Sequence, residues 1–243
     1  LDKSNEALAL LKAQKHLNAD SQYYYLVANA HKALSQLDLA LAAYQQAIAM
    51  DANIAKYHTV LAELWYREGN VHKAELSFNQ ALLIDEINIP ALLLSSEVYK
   101  NQGLYQQAQE ALAIILLQDK NNQKALFSQA SLFLAQNKLL DALIVTLTLR
   151  ELSPTDPFAK LLHSSIIAQQ GDTKQARRIL SEVDQQLSGL NKKYKENKQV
   201  LLLSATVNFI NQNSHSAKKL FVRYIDLYGE DASARRYLAI ISV

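Results

Sequence analysis

The chain has 243 residues, 49% hydrophobic and 20% charged, with 25 Lys and Arg against 23 Asp and Glu. That length can bury a sizeable core, the near-balance of charge argues against nucleic acid as the main partner, because phosphate binding draws on a basic face, and the lack of Cys excludes disulfides, thiol nucleophiles and thiolate metal sites within these residues. Five Gly, three Pro and no alternating β-branched runs predict an all-α chain.

In chain order, residues 6–18 read as the second helix of a pair whose first helix is missing, so the sequence is expected to be a piece truncated at both ends. From Ser21 onward one interval governs the chain. Gly69, Gly103, Asn137 and Gly171 are each 34 residues apart, and so are Ala40, Ala74, Ala108, Ala142 and Ala176. A period in this range marks stacked structural repeats, and 34 is that of a helix-turn-helix unit. The units are 21–54, 55–88, 89–122, 123–156, 157–197 and 198–231, with half-units at about 1–20 and 232–243, in one domain over 1–243.

Unit 55–88 carries the physical logic. Leu61, Ala62 and Trp65 lie on its first (A) helix, Gly69 at the turn, and Ala74, Phe78 and Ala81 on its second (B) helix. Ala lets two backbones approach, large residues fill the space between pairs, and Gly supplies the left-handed residue of a helix end. Asn137 is the next best residue for that geometry, whereas Ser35 and Gln212 lack Gly, so those two turns are expected to be less regular. After Ala176 the next equivalent residue is Ala217, 41 positions on. About seven residues are therefore inserted, most naturally in Ser188–Asn197 as an extended B helix followed by a basic loop. Charge shifts here too: residues 1–173 hold 13 basic and 17 acidic side chains, and residues 174–243 hold 12 and 6. The longest uncharged run, Gln199–Ala217, contains three Asn and a His and is no membrane span.

With Trp65, Gly69, Ala74, Phe78 and Ala81 in one unit and Tyr99, Gly103, Tyr105 and Ala108 in the next, the chain resembles the tetratricopeptide-repeat family over essentially its whole length. It departs from the family at the unit ends, where Ala52, Glu86 and Lys120 stand in place of the frequent Pro. The resemblance implies a right-handed α-solenoid of stacked antiparallel helix pairs, with no cofactor, that works as a non-catalytic scaffold for a protein or peptide partner. Gln170–Arg177, residues 91–94 and Ala234–Ala239 are also similar to the repeat lipoproteins found with bacterial exosortase and exopolysaccharide systems. That second resemblance implies a periplasmic or outer-membrane-associated setting, with the cytoplasm as the alternative.

In the family, ligand contacts come from fixed positions on the A helices lining a concave face. Carried onto this sequence, they fall in the N-terminal units on Tyr25, Asn29, Lys32, Lys56, Thr59, Glu63, Tyr66, Arg67, Glu97 and Lys100, a polar set of both charges. In the C-terminal units they fall on Phe127, Leu134, Phe158, Leu161, Leu202, Phe209 and Ile210, with Arg236 at the end. The groove reading is a peptide segment held by apolar anchors in one half and by hydrogen bonds or ion pairs in the other. The alternative is that the apolar residues are covered by packing. Family members that grip a chaperone's C-terminal carboxylate pair a Lys with an Asn four residues on. Asn29 has Tyr25 at the partner position, so that activity is not expected.

Other chemistry has less support. His16, His31, His58, His72, His163 and His215 never fall three or four apart, so no helical metal pair exists. No Gly-rich loop follows a strand, and the carboxylates are scattered over what should be solvent faces. Lys192, Lys193, Lys195 and Lys198, with Tyr194 among them, are able to touch an anionic polymer or surface, though a solvated charge run is the simpler account. Self-association of the repeats is the rival to partner binding.

Overall fold

In a computed structural model, residues 2–14, 19–229 and 232–241 are described. They form helices and no strands. In chain order these are α1 (Asp2–Gln14), α2 (Ser21–Ala33), α3 (Leu37–Met50), α4 (Ala55–Arg67), α5 (Val71–Ile84), α6 (Ile89–Asn101), α7 (Tyr105–Gln118) and α8 (Gln123–Ala135). They continue as α9 (Leu139–Leu152), α10 (Pro157–Gln169), α11 (Thr173–Ser188), α12 (Lys192–Lys195), α13 (Lys198–Ile210), α14 (Ser214–Tyr228) and α15 (Ala232–Ile241). The chain divides into two compact units, residues 1–128 and 129–243. In the first, α2 packs on α3, α4 on α5 and α6 on α7; in the second, α10 packs on α11 and α13 on α14. The fold is the expected all-α solenoid type, built from consecutive helix pairs.

The turn between the helices of a pair has one geometry throughout. Gly69, Gly103 and Gly171 have φ of 75°, 76° and 97°, and Ser35, Asn137 and Gln212 join them at 58°, 58° and 63°. Each turn carries the same two hydrogen bonds. Gly69 N–H donates to Tyr66 O at 3.0 Å and Asn70 N–H to Trp65 O at 2.9 Å; Gln212 and Asn213 repeat this on Phe209 O and Asn208 O at 3.0 and 2.9 Å. This pattern satisfies the last carbonyls of a helix by passing one residue through the left-handed region. The expectation that Ser35 and Gln212 make looser turns is therefore corrected: both keep the bonds and take the backbone strain that Gly avoids.

The connection from one pair to the next uses Asp where Pro was missing. Asp51, Asp85 and Asp119, again 34 apart, leave their helices in extended backbone and accept from the amides of Asn53, Ile87 and Asn121 at 3.0, 3.2 and 3.0 Å. These are side-chain turns of the kind Asp favours. Asn88 then caps α6 through Ala91 N–H at 3.1 Å, and Asp20 caps α2 through Tyr23 N–H at 2.8 Å.

Packing follows the small and large pattern. Ala28, Ala62, Ala130 and Ala205 on A helices, and Ala40, Ala74, Ala108, Ala142 and Ala217 on B helices, have no exposed surface. Beside them Tyr44, Phe78 and Phe221 are fully enclosed. The insertion is more ordered than a loop. B helices α3, α5, α7 and α9 have 14 residues and α11 has 16, and the basic stretch beyond it folds into the single turn of α12. The first half-unit appears as α1, ending at Gln14; residues 15–18 of that expected helix, with His16, lie outside the described residues.

Candidate functional site

In residues 1–128 the A helices α2, α4 and α6 present one connected set of polar side chains. Helical periodicity puts Tyr25, Asn29 and Lys32 on one face of α2, and Glu63, Tyr66 and Arg67 on one face of α4. The set is anchored from below. Tyr25 is 7% exposed and stacks on Tyr57 with ring centroids 5.2 Å apart, and Lys56 Nζ sits 4.3 Å above the Tyr25 ring. Tyr44, from the B helix α3, donates its phenol proton to Asn29 Oδ1 at 2.8 Å. Burial pushes the Tyr44 phenol well above its ordinary pKa, and the neighbouring Tyr25 and Glu63 add to the rise, so it stays a proton donor at any ordinary pH. With Oδ1 held there, the Asn29 amide nitrogen faces the other way. It makes no hydrogen bond among the described residues.

Two further contacts tie the helices together. Lys32 Nζ lies 3.7 Å from Glu63 Oε2, beyond hydrogen-bond distance, with both side chains substantially exposed. A pair of this kind contributes little to stability and is readily exchanged for a ligand's charges. Tyr66 accepts from Asn101 Nδ2 at 2.7 Å, the same amide reaches Glu97 Oε1 at 3.2 Å, and Glu97 Oε2 accepts from Lys100 at 2.6 Å. Burial, then the Glu97 carboxylate, raises the Tyr66 pKa, and the Asn101 hydrogen bond opposes them. Arg67 is exposed at the edge and has no ion-pair partner among the described residues. The face thus offers a neutral donor at Asn29, a loose ion pair, a braced Glu97 and a free guanidinium, a composition that suits a peptide backbone with side chains of either charge.

The remaining predicted positions differ. Thr59 is 4% exposed, and its hydroxyl is engaged with Ala55 O at 3.0 Å and Asn88 Oδ1 at 3.1 Å, so it joins α4 to the start of α6. Phe127 is half-buried. In residues 129–243, Leu134 is half-buried, Phe158 is 37% exposed and Ile210 44% exposed. Leu161 packs on the cluster of Val183, Leu187, Leu203 and Val207. Leu202 and Phe209 pack on the cluster around Phe221, with the Phe209 ring 4.9 Å from Tyr237. Arg236 is exposed on α15. The structure therefore ties the N-terminal positions together by polar contacts, and in the C-terminal half sets Leu161, Leu202 and Phe209 against apolar clusters while Phe158, Ile210 and Arg236 stay exposed.

Tyr44, Tyr57 and Asn101 of the network were not on the sequence-derived face. Tyr44 reads from sequence as a packing residue of a B helix, and only its hydroxyl gives it a second role. Asn101 follows Glu97 by four residues on α6, a spacing that brings side chains together on a helix. Among the described residues no three His, Asp or Glu are grouped as metal ligands, and no helix is long and apolar enough to cross a membrane.

Helix pairs joined by one recurring turn, with an A-helix face of connected polar side chains, define a helical-repeat protein. A tetratricopeptide-repeat model matches residues 25–88 and 94–157, more than half of the chain, and the chain belongs to that family. Members of this family bind protein or peptide partners, and the fold generally serves as a non-catalytic scaffold. No curated protein matches it in sequence. Among solved structures it is similar to a tetratricopeptide repeat protein from Parabacteroides merdae, at 15% identity and TM-score 0.77, over 99% of this chain and 93% of that one. It is also similar to pilF of Pseudomonas aeruginosa, at 17% identity and TM-score 0.61, over 90% of this chain and 97% of that one. The C-terminal part of a repeat protein from Cytophaga hutchinsonii matches at 16% identity and TM-score 0.61, over 97% of this chain and 95% of that one. At these identities the likeness shows the fold.

Proposed function

We propose that the A-helix face of residues 1–128 binds a peptide segment of a partner protein, and that the chain acts as a scaffold without chemistry of its own. The observation that carries this is the Tyr44–Asn29 hydrogen bond, which holds Asn29 Oδ1 and leaves its amide nitrogen without a hydrogen bond among the described residues, on the α2 face that also carries Lys32 of the loose Lys32–Glu63 pair. A preoriented donor has little rotamer freedom left to lose on binding, which favours capture of a peptide carbonyl. The test is selection of displayed peptides on the wild-type chain, followed by titration against Asn29→Ala and Arg67→Glu. Selected peptides should bind both variants more weakly by about tenfold or more, the loss of one charge-assisted or well-formed hydrogen bond. Equal binding by wild type and variants would move the site elsewhere.

The setting we propose is a bacterial envelope assembly in exopolysaccharide production or export, on the periplasmic or outer-membrane side. Its support is the similarity of Gln170–Arg177, residues 91–94 and Ala234–Ala239 to the repeat lipoproteins of such systems. Fractionation of the native protein tests it, and recovery in the cytosol would refute it.

Self-association is a second reading with an observation of its own. Leu140, Ile144 and Leu147 of α9 are 72%, 64% and 44% exposed and lie at i, i+4 and i+7 on one helix face. Contiguous exposed apolar side chains of this kind mark contact surfaces. Light scattering over a concentration series decides it. Mass rising with concentration, and returning to the monomer value in Ile144→Glu, supports association; a constant monomer excludes it.

A further inference from the structure

The insertion lines a cleft. The end of α11, the turn α12, and helices α13 and α14 enclose a cleft of about 720 Å³. Its floor is apolar, with Leu187 and Leu201 buried and Leu220 half-buried. Its rim is cationic, carrying Lys192, Lys195, Lys219 and Arg223.

The two acidic residues in the cleft are already engaged. Glu196 accepts from Arg223 at 2.6 Å, and Asp184 accepts from Asn208 at 3.0 Å. Lys195 and Lys219 are exposed and have no carboxylate partner among the described residues. The rim is also held in place. Tyr228 donates its phenol to the Glu196 carbonyl, Asn191 caps α12 through Tyr194 N–H at 3.2 Å, and Asn197 caps α13 through Gln199 N–H at 3.0 Å. A solvated charge run needs none of these anchors. Here they hold the α12 segment in place, and its Lys192 and Lys195 line one volume with three leucines.

We propose that this cleft binds an acidic peptide segment in which an apolar side chain lies between carboxylates. The apolar residue would cover the leucine floor while its acidic neighbours meet Lys195 and Lys219, the charge complement the cleft lacks. A bare inorganic anion would leave the leucine floor uncovered. The cleft shares no residue with the A-helix face of residues 1–128.

Fluorescence polarisation with the whole chain tests this, using a fluorescein-labelled Asp-Asp-Leu-Asp-Asp peptide as probe. Controls are the same peptide with Ser for Leu and with Lys for every Asp. The expected result is saturable binding that weakens roughly tenfold or more in the double variant Lys195→Glu, Lys219→Glu, is absent for the Lys peptide and is weaker for the Ser peptide. Circular dichroism should be unchanged, since both lysines are exposed. Asn29→Ala should bind the probe as the wild type does. Three outcomes overturn the proposal: no saturable binding, equal binding by the double variant, or equal binding of the Leu and Ser peptides. Displacement of the probe by a uridine oligonucleotide at lower concentration than by unlabelled peptide would also overturn it, in favour of nucleic acid.

Discussion

The phenol of Tyr44, closed off from solvent on a B helix, donates a 2.8 Å hydrogen bond to Oδ1 of Asn29 on the A helix before it. A packing residue thereby holds the oxygen of a half-buried amide on the neighbouring A helix. Tyr44→Phe keeps the ring and removes the donor. Because Asn29 is only half-buried and can turn to water, stability should fall by about 1 kcal/mol, while affinity for a selected peptide drops several-fold. Thermal melting and a binding titration on the same variant check both.

The buried His163 ring faces Arg150, whose Nη1 lies 2.7 Å from its Nδ1. Burial, with the Arg150 charge second, lowers the His163 pKa below its ordinary 6.5. A neutral ring in the fold and a protonatable ring in the unfolded chain mean that protons favour unfolding. Stability from this group is fully present above pH 6.5 and is lost as pH falls through and below that value toward the folded-state pKa. Urea unfolding at pH 7.5 and pH 5 should show the loss, and His163→Gln should flatten it.

The shared turn geometry predicts a pair of opposite effects. Gln212→Gly and Ser35→Gly relieve a left-handed residue and should each raise stability by about 0.5–1 kcal/mol. Gly69→Ala should lower it by about 1 kcal/mol. A Cβ at Gly69 meets no atom within 4 Å, so the cost is backbone strain alone. Denaturant midpoints at fixed pH separate the three variants.

Two large residues of one helix should behave differently. Phe78 on α5 is fully enclosed, while Leu83 on the same helix is 78% exposed. Phe78→Ala should cost about 3–5 kcal/mol through lost contacts and the cavity left behind, and Leu83→Ala should stay within about 0.5 kcal/mol. Calorimetry of both variants tests whether burial, and not hydrophobicity, carries the repeat.

Gly69 and Ala74 were legible because their positions demand something only small residues supply: a left-handed backbone or a close helix approach. The same demand placed Asn137. Asp51, Asp85 and Asp119 recur at a 34-residue interval as regular as that of the glycines, but an Asp alone does not distinguish a corner from a solvated carboxylate. Candidate face positions on α2, α4 and α6 followed from the family resemblance, since it depends on which way a helix turns. Their fates did not, because they depend on neighbours. Tyr25 lies over Tyr57 and under Lys56, a contact made across units, and Thr59 is consumed by Asn88 at the far end of its own unit; no spacing within one helix encodes either.

The Asp51, Asp85 and Asp119 corners and the left-handed turns close their hydrogen bonds within six residues of chain. Longer-range side-chain bonds reach the corners as well, from Thr59 to Asn88 and from Gln186 to the Thr155 carbonyl, but the backbone bonds of the turns are local. A gene segment encoding 34 residues can therefore be copied or deleted at such a corner without stranding a backbone donor, so length is free to drift while each joint stays intact. The proposed binding face is under the opposite constraint, because the Lys32–Glu63 and Tyr66–Asn101 contacts each bridge two units and would be re-paired by any such event.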